Sequence, residues 1–168
     1  MDQIDTAMLV LRVWMGIVML AHGINHARSQ EGTARWFEKV GFKSPELNAR
    51  LSAGNEIAIG LALIAGLLTT VAAAGLVATM LVAFWAIHRF SGFFVFHRPD
   101  EGYEYVATMA VSALALAILG PGGFSIDAAI GVDDSLSGAL GAGIIGLGLL
   151  AGFGQLAVFW RKPAAKDD

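Results

Sequence analysis

The sequence predicts an all-α integral membrane protein. Three observations carry that expectation: composition, five long apolar stretches, and a one-sided distribution of basic residues. Of the 168 residues, 56% are hydrophobic and only 15% charged, and mean hydropathy is +0.65. A water-soluble chain of this length needs more polar surface to cover its core, so lipid is the expected solvent for much of the exterior. The net charge of −3 says less than its distribution along the chain, and nucleic acid is not an expected partner. Cysteine is absent, so thiol chemistry, Cys-ligated zinc or an iron–sulfur cluster would have to sit on another chain.

The first apolar stretch covers about residues 6–25. The segment ahead of it, Asp2-Gln3-Ile4-Asp5, has no basic region, and no small-residue cleavage site follows cleanly, so a retained helix is expected. The second and third stretches, at about 51–68 and 71–90, are separated only by Thr69 and Thr70 and predict a tight antiparallel hairpin. The fourth runs over about 103–119 and stops at Gly120-Pro121-Gly122-Gly123, which cannot sustain a helix. The fifth occupies about 136–160. Each has roughly the 17–25 residues needed to cross hydrocarbon, where backbone groups must be paired within the segment. Between the first two spans, residues 33–40 mix aromatic and charged side chains; they suit either a short amphipathic helix on the headgroups or a solvated loop with one buried tryptophan.

Basic residues fall on alternate connections. Arg28, Arg35, Lys39, Lys43 and Arg50 lie between spans one and two, Arg89 and Arg98 between three and four, and Arg161, Lys162 and Lys166 after span five. Asp2, Asp5, Asp127, Asp133 and Asp134 lie on the opposite side. The positive-inside rule then predicts an outer amino terminus and a cytoplasmic carboxyl terminus.

Several motifs resemble the DoxX family of bacterial membrane proteins: Leu11-Arg12, Gly16 and His22-Gly23 in the first span; residues 36–45, reading WFEKVGFKSP; Glu56-Ile57-Ala58-Ile59-Gly60-Leu61 leading to Gly66-Leu67-Leu68-Thr69; and residues 120–127, reading GPGGFSID. Their order and spacing carry the resemblance over about residues 6–128. It implies a four-helix membrane bundle over 1–130, with 131–168 forming an additional transmembrane helix and cytoplasmic tail in the bacterial inner membrane. It also implies an association with membrane redox chemistry. Relatives form the membrane part of a thiosulfate:quinone oxidoreductase or are linked to an oxidative-stress complex with superoxide dismutase and a sulfurtransferase. Distant relatives include cargo receptors.

Ionisable residues inside a span are costly, by about 2.5–3.5 kcal/mol or more at its centre. Arg12 either snorkels to the outer headgroups or pairs internally with Asp127, which the family motif places on the same side; the pair is the preferred reading, as a structural clamp. Glu56 lies about 18 Å below the outer end of its span by helical rise, too deep to snorkel, with Asn55 beside it. Facing it at similar depth are His22, with Asn25 and His26 one turn on, then His88 and Arg89, and Tyr103, Glu104 and Tyr105. Three readings of this cluster stay open. It can be a polar belt anchoring helix ends. It can be a quinone or proton-coupled site in which Glu56, His22, His88 and Glu104 act and Asn25, Asn55 and Arg89 help to bind. Or it can hold a metal or haem, with His22 and His88 as ligands. Phe84, Trp85, Phe90, Phe93, Phe94 and Phe96 read as an interfacial belt or as walls of a ring pocket.

The fifth span holds two small-residue series, Gly138–Ala142–Gly146 and Gly148–Gly152, which allow close helix approach. They pack either on the parent bundle or on another protein, whether a second copy or a partner subunit. The expected function is therefore the membrane subunit of a redox-linked assembly, with a quinone as the candidate cofactor; the alternative is a non-catalytic scaffold or anchor that recruits partners.

Overall fold

The computed structural model describes residues 2–96 and 101–163; Arg98 and Lys166, counted above among the basic residues, lie outside that range. The helix α1 (Gln3–Arg28) opens on an Asp2 cap whose carboxylate accepts from Ile4 N at 3.0 Å. Only Ser29 separates it from α2 (Gln30–Lys39). The helix α3 (Pro45–Ala65) starts on a proline, which has no N–H to leave unpaired in a first turn, and closes on Gly66 at φ +68°. Then follow α4 (Thr69–Ala86), α5 (Glu104–Leu119), the single turn α6 (Ile126–Ala129) and α7 (Gly138–Phe159). No strand occurs among the described residues.

The five apolar stretches correspond to α1, α3, α4, α5 and α7, with shifted ends. The hairpin turn falls on residues 66–68, while Thr69 and Thr70 open α4 instead of forming the turn. The second stretch starts at Pro45, well ahead of Leu51, and the third stops at Ala86. Among the described residues three helices, α1, α4 and α7, are long and apolar enough to cross a membrane by length and composition. With 16 residues α5 is shorter, about 24 Å at helical rise. At 21 residues α3 is long enough but carries Asn48, Arg50, Asn55 and Glu56. The connection after α1 is helical: α2 buries Thr33 and Phe37, one turn apart, and leaves Trp36 exposed, so the buried aromatic there is Phe37.

Glycines set the closest approach. A Cβ on Gly16 of α1 would stand 2.8 Å from Gly60 O of α3, and a Cβ on Gly60 equally close to Gly16 O. Gly23 is as tightly placed, 2.7 Å from Ile57 N. These separations admit no side chain, and they let the two backbones touch. On the other side, α4 packs against α3, α5 and α7 around Met15, Leu63, Leu76, Ala113 and Leu116.

The two small-residue series on α7 point different ways. Gly148 and Gly152 lie against Ala74 O and Ala78 O of α4, whereas a side chain on Gly138, Gly143 or Gly146 would meet nothing. A short clasp holds the other end of α7. Lys43 N donates to Phe159 O at 2.7 Å, Arg161 N to Gly41 O at 2.8 Å, and the Trp160 indole to Val40 O at 2.9 Å. Fully buried Asn48 receives Gln155 Nε2 at 3.2 Å and donates to Lys43 O at 2.9 Å. The contacts between 1–130 and 131–168 are thus continuous with the core.

Candidate functional site

Opposite ends of the bundle carry two polar constructions. At the end bearing the α3–α4 turn, Arg12 is 1% exposed and does not reach outward to headgroups. Its guanidinium donates to Leu63 O at 2.9 Å, Ile64 O at 2.7 Å, Pro121 O at 3.2 Å and Phe124 O. Asp127 accepts from Leu68 N at 2.7 Å and Thr69 N at 2.8 Å. The two side chains make no direct ion pair. The expected clamp therefore works through the turn: the cation holds the carbonyl end of α3 and the carboxylate caps the amide end of α4, each at the helix terminus its charge complements.

At the basic end, a cavity of about 550 Å³ opens among α1, α2, α3, α4 and α5. Glu56, 5% exposed, projects from α3 into its wall. Ser52, one turn earlier, donates to Glu56 Oε1 at 2.6 Å. Glu56 Oε2 has no hydrogen-bond partner, and His26 Nε2 stands 3.7 Å from it. The imidazole is oriented from behind, with Nδ1 3.3 Å from the Thr33 hydroxyl of α2. That hydroxyl lies 3.4 Å from His26 O; in the tautomer that donates from Nδ1 to it, the Nε2 lone pair faces Glu56. Room for one proton then exists between Nε2 and Oε2. Above this couple His22 stacks on Tyr105 of α5, centroids 6.1 Å apart and planes 23° apart. Met19, Met80, Phe37 and Phe42 supply apolar wall.

Of the residues expected here, His22, His26, Glu56, His88 and Tyr105 line the cavity. His88 stands at its far edge, its Nδ1 2.7 Å from Glu101 O. Asn55 is exposed and donates to Thr79 Oγ1 at 3.1 Å, beside the cavity but outside its lining. Asn25 and Glu104 do not line it; Glu104 N instead pairs with Phe93 O at 2.9 Å, and the neighbouring Tyr105 reaches the cavity. Arg89 turns to an aromatic cage, 4.2 Å over Trp85, 4.4 Å over Phe90 and 5.4 Å over Trp160. Of the aromatic cluster, Phe84 and Phe93 pack edge-to-face on Tyr103. Ser52 and Thr79 joined the site without a sequence signal. His26 had one, its place one turn beyond His22. Among the described residues no group of three or more His, Asp or Glu is placed to hold a metal ion.

A helical bundle whose long helices are apolar on the outside, with buried polar groups gathered inside, is a multi-pass integral membrane protein in contact with lipid. Residues 7–89, just under half of the chain, match the family model named DoxX, consistent with a DoxX family protein. The match takes in α1 to α4 and, with them, Arg12, His22, His26, Glu56 and His88. No curated protein and no solved structure matches the chain.

Proposed function

We propose that this protein is the membrane subunit of a redox-linked assembly, in oxidative-stress or sulfur redox chemistry, and that its basic-end cavity receives the head of a quinone. The observation that carries the reading is the buried, unpartnered Glu56 Oε2 with His26 Nε2 beside it. A buried carboxylate oxygen without a donor is costly, and a ring hydroxyl from a quinol would satisfy it. Glu56 would take that hydroxyl proton and share it with His26, while the stacked His22–Tyr105 pair and the apolar walls would hold an aromatic ring. A quinone supplies two-electron, two-proton exchange when bound. Because the chain lacks cysteine, any thiol donor or iron–sulfur relay belongs to a partner. The positive-inside rule supports placing the basic end in the cytoplasm of a bacterium, with the amino terminus outside.

The test is titration of purified protein with a benzoquinol under anaerobic conditions, which presents the ring hydroxyl that Glu56 is to accept from. Saturable binding by the natural sequence and at least about tenfold weaker binding by Glu56→Gln support the reading; equal binding by both removes Glu56 from the site. A second reading, a non-catalytic anchor, draws on the α7 face at Gly143 and Gly146, where an added Cβ would meet no described atom and where a homo-oligomer or partner subunit would pack. Stoichiometric partner protein with no bound small molecule would favour it.

A further inference from the structure

A second, smaller space adjoins the cavity. It measures about 260 Å³ and lies along the seam of α4 and α5, between Leu81, Phe84, Ala107, Ala110 and Leu149. Its lining is apolar except for the phenol of Tyr103. Met80 and Val106 belong to both linings, so these two side chains form the partition between the polar cavity and the apolar groove. Neither is exposed, at 7% and 3%. Methionine is the side chain best able to yield at such a point, being unbranched with three rotatable bonds.

We infer that the groove holds the apolar chain of the molecule whose head occupies the cavity, the chain passing Met80 and Val106 to leave between α4 and α5. The inference rests on the quinone reading above and adds the chemical class of its substrate: a ring bearing a long hydrocarbon tail, in preference to a free ring. Two spaces of opposite character joined at a shared wall match an amphiphile. The polar space holds a carboxylate, imidazoles and a phenol; the apolar space, the Tyr103 hydroxyl apart, offers hydrocarbon and aromatic contact. A membrane-resident tail has no need to enter water on this route, because the groove lies between two apolar helices.

The experiment compares two probes, kept reduced, on the full chain in nanodiscs: a tail-less dimethoxy-methyl benzoquinol, and the same ring carrying a decyl chain. Ala110→Phe places a ring in the groove, and Ala107→Leu is a milder filling that guards against misfolding of the first; neither residue lines the cavity. Comparing each variant with the natural sequence cancels partitioning of the probe into lipid. The expected result is that both variants weaken the decyl probe about tenfold more than the tail-less probe. Equal change for the two probes, with both still bound, overturns the groove assignment while leaving the head site standing. Absence of saturable binding by either probe to the natural sequence overturns the quinone reading and the groove assignment together.

Discussion

His26 and Glu56 meet across the glycine-packed seam of α1 and α3, with Nε2 3.7 Å from Oε2. The contact depends on the backbone approach beside it, since Gly23, one turn before His26, lies against Ile57, the residue after Glu56, with no room for a side chain. Helix packing and site geometry are therefore one construction, and the predictions divide accordingly.

Glu56→Gln keeps the size of the side chain and its bond to Ser52 but loses the proton acceptor. Quinol turnover by the assembled complex should fall about a hundredfold, with membrane insertion and melting temperature little changed. His26→Ala should lower turnover as well, and Glu104→Gln, outside the cavity, should leave it within about twofold. Steady-state quinol oxidation with the natural electron partner measures all three.

Arg12→Met leaves the carbonyls of Leu63, Ile64, Pro121 and Phe124 without their donor and leaves the Asp127 carboxylate without a nearby cation. A loss of about 3–5 kcal/mol is expected. Arg12→Lys should rescue little of it, because one ammonium cannot reproduce a planar fork that reaches several acceptors. Asp127→Ala removes the cap of α4 and should cost about 0.5–2 kcal/mol. Thermal unfolding in detergent should rank the variants in that order.

Glycine positions that look alike in sequence should respond differently. Gly16→Val and Gly60→Val force the α1–α3 backbones apart and should destabilise by about 1–3 kcal/mol. Gly146→Ala meets nothing and should be neutral or stabilising by about 0.5–1 kcal/mol, since glycine is a poor helix residue. Chemical denaturation of the three variants in one detergent checks the contrast.

Deleting residues 138–168 uncovers the α4 surface beneath Gly148 and Gly152 and breaks the clasp at Gly41, Phe159 and Trp160. The shortened chain should melt well below the full protein. Asn48→Ala alone should cost about 1–3 kcal/mol, as Lys43 O loses its donor and Gln155 its acceptor. A shortened chain as stable as the full protein would make 1–130 a self-sufficient unit.

Much of the bundle was legible because crossing a membrane demands long apolar helices, and hydropathy reads those directly. Ends were less legible: polar Asn48 is tied to the Lys43 carbonyl and to Gln155, so α3 reaches back to Pro45 through residues that hydropathy assigns to a loop. That His26 belongs to the site follows from α1 continuing to Arg28, one turn past the expected end. Helix rotation was not legible. Glu104 and Tyr105 are one residue apart, about 100° around the axis at 3.6 residues per turn, and only packing decides which of them reaches the cavity. The same limit applies to Arg12 and Asp127, whose opposite charges suggest a direct pair but serve adjacent helix ends.

Native mass spectrometry of the complex, extracted gently from its own membrane, tests the central claim most directly. The account predicts a bound mass matching a long-chain quinone on the natural protein and its loss from Glu56→Gln with the same subunits present. The natural protein carrying only partner subunits and no small molecule would contradict the account, and the Glu56–His26 couple would then be structural.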